Sequence, residues 1–303
     1  MRSIALMSGP GPNDAQAAYW EDRAGSWVDA EPMTQLMLGG VITDTAIGRL
    51  APVVGEDVLD IGCGPGPTTM QIAAMVRPVG RVTGADISPT MVSVARTRAR
   101  DAGLGDVSFV VADAQSADLG TDVYDAAFSR FGVMFFADPV AAFANVARAL
   151  RPDGRLVFAC WQDVSRNEWL HVPGAAAVAV SGRMPELPET GSPGPFSLSD
   201  PGRIRAILDG SGYVDVTVED LTVPIVIPED RIEVMIDGAR RMGVLREQLD
   251  WFHDDPELSA RIVDAVRAEL VGRVRDGELR LTSSAWIVSA VVPSVGSSDP
   301  VVD

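Results

Sequence analysis

A glycine-rich turn between a short apolar run and a helix-like segment constrains this chain of 303 residues more than any other feature. Residues 57–61 predict a buried strand, and residues 68–77 predict a helix. Gly62, Gly64 and Gly66 lie between them. Glycines let the backbone turn sharply and approach a ligand closely, and the helix N-terminus behind them offers free N–H groups to an anion. The turn therefore predicts a ligand site at the end of the first strand.

Short β-branched runs alternate with helix-like segments along the chain. Such alternation is typical of right-handed βαβ units, so we predict an α/β fold with a doubly wound, mostly parallel sheet. The predicted strands are 57–61, 81–85, 107–112, 124–128, 155–160, 214–218 and 279–292.

The charged residues exclude several classes of enzyme. The chain has no lysine, and its net charge is −17. Schiff-base chemistry, P-loop nucleotidases and standard protein kinases need a lysine, so we exclude them. Because a polyanion is repelled by so acidic a protein, we expect no nucleic-acid partner.

The few cysteines and histidines indicate a reducing compartment. Cys63 and Cys160 are the only cysteines, and the chain has two histidines. These numbers provide neither a disulfide framework nor a set of zinc ligands, so we expect no metal. No run reaches about 18 apolar residues. We therefore expect a cytoplasmic protein without a membrane span.

Two acidic residues follow the second and third predicted strands. Asp86 lies 20 residues after Gly66, where a carboxylate can accept hydrogen bonds from ribose hydroxyls. Asp113 follows the third strand and can accept one from an adenine amine. A dinucleotide-binding turn would require a third glycine where Pro67 stands.

Together the glycine turn and the two acids resemble the class I S-adenosylmethionine-dependent methyltransferases, over residues 19–162 and 199–292. This resemblance implies a seven-stranded Rossmann-like sheet with its last strand antiparallel, and S-adenosyl-L-methionine as cofactor. It places the methionyl part of the donor at the glycines, the ribose at Asp86 and the adenine at Asp113 and Ala114. Further donor contacts are predicted in the same region, at Cys63, Thr68, Ile87 and Met91.

Residues 128–139 and 159–162 are similar to the ubiquinone/menaquinone-type branch of small-molecule methyltransferases. In that branch the segment after the fourth strand lines the donor, which implies contacts from Ser129, Arg130 and Phe131. The opening helix of the family folds over the donor. Trp20 and Trp27 match it, and an aromatic face can stabilise a sulfonium cation.

The acceptor site is predicted from aromatic and amide side chains after the fourth and fifth strands: Phe135, Trp161, Gln162 and Trp169. Two helices in a late insertion would cover them and exclude water. We therefore expect a small, partly apolar acceptor. His171 is the candidate general base if the acceptor must lose a proton.

The resulting division of the chain begins with a disordered leader over residues 1–18 and a donor-binding core over 19–162. A Gly- and Pro-rich lid segment is predicted for 163–198. Residues 199–292 complete the core with an inserted helical cap at 229–275, and 293–303 form a loose tail.

Two other functions stay open on the sequence alone. One is an NAD-dependent oxidoreductase on a similar sheet, and the other is a protein that binds the donor without turnover. The oligomeric state is also open, and a homodimer is compatible with the sequence.

Overall fold

A computed structural model describes residues 11–31, 40–185, 191–241 and 243–294 of the chain. Its helices are α1 (Asp14–Asp29), α2 (Val41–Leu50), α3 (Pro67–Val76), α4 (Pro89–Asp101), α5 (Pro139–Ala149), α6 (Glu168–Ser181), α7 (Pro201–Gly210), α8 (Ile232–Ala239), α9 (Gly243–Trp251) and α10 (Pro256–Gly272). Its strands are β1 (Asp57–Ile61), β2 (Arg81–Asp86), β3 (Val107–Val111), β4 (Tyr124–Arg130), β5 (Leu150–Trp161), β6 (Val214–Pro228) and β7 (Glu278–Val291). None of these helices is both long and apolar enough to cross a membrane.

The strands form one seven-stranded sheet in the order β3-β2-β1-β4-β5-β7-β6. β1 to β5 pair in parallel, and β7 is antiparallel to both of its neighbours. The chain order reverses between β1 and β4, and open α/β sheets bind ligands outside the carboxyl ends of the strands at such a point. The predicted Rossmann-like fold is confirmed, and the glycine turn follows β1 at this point.

Four helices share one start, in which a capping side chain precedes a proline. The cap accepts a hydrogen bond from the backbone N–H three residues later, and proline suits the next position because its missing N–H has no helical partner there. The four pairs are Ser88 and Pro89, Asp138 and Pro139, Asp200 and Pro201, and Asp255 and Pro256.

Several predicted boundaries differ from the structure. Helix α1 begins at Asp14, inside the segment predicted as a disordered leader over 1–18. Helix α6 occupies part of the predicted lid segment 163–198. The predicted cap contains three helices, α8 to α10, in place of two.

Strand β6 is much longer than predicted and pairs with β7 as far as Pro228. Its acidic residues and prolines obscured this in the sequence. Both are tolerated because β6 is an edge strand, whose outer N–H groups have no neighbouring strand.

Parts of five predicted segments lie outside the described residues. These parts are residues 1–10 of the leader, 32–39 of the donor-binding core, 186–190 of the lid segment, 242 of the cap and 295–303 of the tail.

Candidate functional site

The glycine turn after β1 is held by close backbone contact on one side and is open on another. Gly62 has φ +65°, and a Cβ there would lie 2.9 Å from the Cα of Gly132. Gly64 has φ +55°, and a Cβ there would meet nothing within 4 Å. Gly62 is therefore required for packing, whereas Gly64 leaves free space beside the backbone.

Asp86 ends β2 with its carboxylate directed at the glycine turn. Its Oδ2 accepts from the backbone N–H of Gly64 at 2.8 Å, and its Oδ1 accepts from that of Ser88 at 2.9 Å. Burial raises the pKa of Asp86, and its backbone hydrogen bonds act in the opposite direction. Each oxygen keeps a lone pair, so the carboxylate can accept further hydrogen bonds from vicinal hydroxyls.

Asp113, after β3, is bound by a residue that the sequence reasoning did not identify. Its Oδ1 accepts from Asn13 Nδ2 at 2.8 Å and from the backbone N–H of Gln115 at 3.0 Å. Asn13 also donates to Gln115 Oε1 and accepts from the backbone N–H of Ala137. The adjacent Ala114 is buried. Because Asn13 is the N-cap of α1, the opening helix is tied to the predicted adenine site.

A buried carboxylate and a largely buried guanidinium lie behind the turn. Asp60, in β1, is fully buried, and its Oδ2 accepts from Thr68 Oγ1 at 2.8 Å and Thr69 Oγ1 at 2.6 Å. Its Oδ1 has no partner within the described residues. Burial raises the pKa of Asp60 to about 6, although the hydrogen bonds from these hydroxyls and the charge of Arg130 lower it. Arg130 ends the neighbouring strand β4 and donates to Thr43 Oγ1 at 3.2 Å.

Helix α1 is also fastened to the N-terminus of α4. Glu21 Oε2 accepts from Ser88 Oγ at 2.6 Å and from the backbone N–H of Thr90 at 3.2 Å. The Ser88 and Thr90 hydroxyls lower the pKa of Glu21. Arg246 of α9 donates to Ser26 Oγ at 3.4 Å. The helix thus bridges the core and the predicted cap.

The predicted aromatic side chains form two groups. Phe131 stacks on Trp161, and Trp161 contacts Trp169 at a centroid distance of 5.2 Å. Trp20 makes edge contacts with Phe135 at 4.9 Å and with Trp27 at 5.4 Å. The opening helix thus contacts the segment after β4 in one group, and the end of β4 contacts the end of β5 in the other. The donor and acceptor roles of these side chains stay predictions.

Gln162 braces β5 against β7. Its Nε2 donates to the carbonyl oxygen of Ala285 at 2.9 Å, and its backbone N–H donates to that of Ser284 at 3.1 Å. The side chain is fully buried, and its Oε1 has no partner within the described residues. A role in acceptor binding stays a prediction for this residue.

Among the described residues, no side-chain hydrogen bond joins His171 to the aromatic groups. His171 lies on α6 two positions after Trp169, and residues so spaced project from nearly opposite sides of a helix. The neighbouring charge is Glu168, whose pKa is lowered first by its hydrogen bond from the backbone N–H of Thr282 and, more weakly, by His171. The role of a general base stays a prediction for His171.

Four other residues predicted to contact the donor lie around the turn. Cys63 is buried in a cluster with Phe109, and its pKa is raised by burial. The backbone N–H of Met91 donates to Ser88 Oγ at 3.1 Å, and its side chain is buried. Ser129 Oγ donates to the carbonyl oxygen of Ile61 at 2.8 Å. Ile87, between Asp86 and Ser88, is partly exposed.

A family model described as a methyltransferase domain matches residues 58–154, from β1 into β5. The O-methyltransferase cnsE of Penicillium expansum is 34% identical over 174 residues, which are 52% of this chain and 62% of that protein. The nocamycin O-methyltransferase of Saccharothrix syringae is 26% identical over 81% of this chain and 89% of that protein. The ubiquinone/menaquinone biosynthesis C-methyltransferase UbiE of Psychromonas ingrahamii is 36% identical over 34% of this chain and 41% of that protein.

Among solved structures, phosphoethanolamine N-methyltransferase 2 of Haemonchus contortus has the same fold. The TM-score is 0.56 at 19% identity, over 94% of this chain and 61% of that one. The matched domain and these relatives favour methyl transfer over the oxidoreductase alternative. Residues 58–154 match a methyltransferase domain, and the named relatives support S-adenosylmethionine-dependent methyl transfer for this chain.

Proposed function

We propose that this protein transfers the methyl group of S-adenosylmethionine to a small, partly apolar acceptor. The aromatic cluster of Phe131, Trp161 and Trp169 carries the proposal. Phe131 directly follows β4, whose neighbour β1 leads into the glycine turn, and the cluster would give an acceptor apolar surroundings. The names of the relatives in Penicillium and Saccharothrix, both O-methyltransferases, support the same class of reaction.

The residues around the turn suit the donor. Gly64 leaves open space beside its backbone, and Asp86 and Asp113 offer carboxylate oxygens to a ribose and an adenine amine. When bound, S-adenosylmethionine supplies a methyl group already activated by its sulfonium charge. The work left to the protein is to orient the acceptor, which is worth roughly 7–11 kcal/mol in well-aligned reactions.

Water exclusion is the second task that the chain can perform. Helix α1 closes one side of the site through Asn13 and Glu21, and its Trp20 packs on Phe135. Removal of water strengthens every electrostatic interaction inside the site. No residue is assigned here as a base, because an acceptor that reacts without losing a proton needs none.

Calorimetric titration with S-adenosylhomocysteine tests the donor site. We expect micromolar binding by the wild type, loss of binding in Asp86→Ala and unchanged binding in Asp209→Ala. Asp209 is a matched control because it is exposed on α7. Binding of NAD in place of the homocysteine compound would contradict the proposal.

Binding without turnover is the second candidate function. It rests on the absence of an assigned base and on the full burial of Gln162, which leaves the acceptor contacts open. Incubation with labelled S-adenosylmethionine and a broad panel of phenols, enols and amines separates the two. If the protein binds the donor but no compound of the panel becomes labelled, binding without turnover is favoured.

The cellular setting belongs to the same proposal. Two free, buried cysteines and a net charge of −17 support a reducing, cytoplasmic compartment and a small-molecule partner rather than a nucleic acid.

A further inference from the structure

We propose that a groove at the edge of the sheet, between α4 and β3, binds a small organic anion that has an apolar body. The groove has a volume of about 340 Å³. Its lining includes Arg96, Arg100, Leu104, Val107 and Phe109, and none of its described lining residues is acidic. Binding in this groove is independent of the proposed function, because a ligand there would not meet the glycine turn.

The groove and the glycine turn lie at different ends of the sheet. Val107 is the first residue of β3, the edge strand, whereas the turn follows the last residue of β1. Because β1, β2 and β3 are parallel, these two points lie at opposite ends of the strands. The groove is therefore not part of the predicted donor site.

Phe109 gives the groove a fixed wall. Its ring fills the space beside two glycines, since a Cβ would lie 2.8 Å from the ring at Gly66 and 2.7 Å from it at Gly84. Leu104 and Val107 are partly exposed and pack on the cluster that contains this ring. The apolar surface of the groove is therefore preformed, and the apolar body of a ligand would remove it from water.

Two guanidinium groups line the same side of α4. Arg96 and Arg100 are four residues apart, which places them on one face of the helix. Arg96 donates from Nε and Nη2 to the carbonyl oxygen of Phe109, at 3.1 and 2.7 Å. These bonds hold its guanidinium at the groove, and its remaining N–H groups are available to a ligand. Arg100 donates one described side-chain hydrogen bond, to Thr97 Oγ1 at 3.2 Å.

The charges of these two arginines are not neutralised by neighbouring side chains. Arg98, between them on α4, forms an ion pair with Glu31. Within the part of the chain that the structure describes, Arg96 and Arg100 form no ion pair with a carboxylate. The chain has a net charge of −17 and repels anions at long range. A groove with two such cations and no acid is therefore a local exception that suits an anion.

The chemistry of the lining indicates the class of ligand. A guanidinium binds a planar carboxylate through paired N–H groups. The apolar wall suits a ring or a branched chain, and small-molecule sites have volumes of roughly 300–1,000 Å³. We therefore expect an aromatic or branched aliphatic carboxylate, and not inorganic phosphate, which has no apolar part.

The test is an NMR titration of the isotope-labelled full chain, in which the amide signals of Leu104 and Val107 report on the groove itself. The probes are 2-naphthoate, its neutral analogue 2-naphthamide, and inorganic phosphate. We expect 2-naphthoate to shift both signals with a Kd below about 1 mM, and the other two probes to bind at least about fivefold more weakly. No shift with 2-naphthoate, or equal affinity for either control probe, would overturn the proposal. Arginines that only protect an edge strand from pairing would give that result.

Arg100→Gln should weaken 2-naphthoate about fivefold, and addition of Arg96→Gln should weaken it further. Arg100 is exposed, so its replacement should leave the fold intact. Arg148→Gln, at an exposed arginine on α5, is the matched control and should bind like the wild type. Wild-type affinity in Arg100→Gln would overturn the proposal even if the double variant does not fold. A wild type that fails to bind S-adenosylhomocysteine would overturn the proposed function and not this site, so the two failures are distinct.

Discussion

The ring of Phe131 lies nearly parallel to that of Trp161, with 3.9 Å between centroids and 15° between planes. Phe131 has φ +60°, a left-handed conformation that a bulky residue rarely adopts. Its backbone N–H donates to the carbonyl oxygen of Ala159 at 2.9 Å, and the following Gly132 packs on Gly62. The stacked pair is therefore tied to the glycine turn through two residues of backbone.

Glycine should replace Phe131 with less damage than alanine. Loss of the buried ring costs roughly 3–5 kcal/mol in either variant. Glycine releases the left-handed strain, about 1–2 kcal/mol, which alanine retains. We expect Phe131→Gly to be about 1 kcal/mol more stable than Phe131→Ala in urea unfolding. Equal stabilities, or a more stable alanine variant, would refute the strained conformation.

Two alanine substitutions in the turn should separate binding from stability. Gly64→Ala meets open space and should cost about 1 kcal/mol through its positive φ, while S-adenosylhomocysteine affinity falls more than about tenfold. Gly62→Ala places a Cβ against Gly132 and should lower stability further. Melting curves and calorimetry measure both quantities. Unchanged binding in Gly64→Ala would place the ligand elsewhere.

Asp60→Asn should stabilise the protein at neutral pH. Since burial raises the pKa of Asp60 to about 6 from 3.8, the folded state holds this proton more tightly than the unfolded state. Stability therefore falls as pH rises from about 4 to about 6, and asparagine removes this loss. At roughly 1.4 kcal/mol per pKa unit, the gain above pH 6 is at most about 3 kcal/mol.

The measurement is urea unfolding of both proteins at several pH values, with Asp209→Asn as the control for an exposed carboxylate. The difference between Asp60→Asn and wild type should grow between about pH 4 and 6. A difference that is constant with pH would mean that Asp60 titrates normally.

Asn13→Ala and Glu21→Gln should loosen helix α1 without unfolding the sheet. Asn13 holds Asp113, and Glu21 holds the start of α4. We expect faster amide exchange within α1 in each variant, whereas β1 and β4 keep wild-type protection. Unchanged exchange rates in α1 in both variants would show that its other contacts are sufficient to hold the helix.

The same fastening should depend on pH. Hydrogen bonds from Ser88 and Thr90 lower the pKa of Glu21 below 4.5. Above pH 4.5, its contribution to holding α1 in place is therefore complete. It is lost as pH falls through the lowered pKa in the folded protein. Exchange in α1, corrected for intrinsic rates, should rise at low pH in the wild type and less so in Glu21→Gln.

Features whose physical causes are local could be predicted from the amino-acid sequence. The turn at Gly62 and Gly64 needs backbone angles that favour glycine, and the capped helix starts at Ser88 and Asp138 are complete within three residues. Strand and helix periodicity then indicated the α/β sheet, and the order of strand, turn and acid indicated Asp86.

Contacts between residues that are distant in the chain depend on how the whole molecule folds. Asn13 reaches Asp113 across 100 positions of chain, and Arg130 lies beside Asp60 because β4 pairs with β1. Strand register and helix rotation are decided by burial over the whole molecule, so no local pattern specifies these contacts.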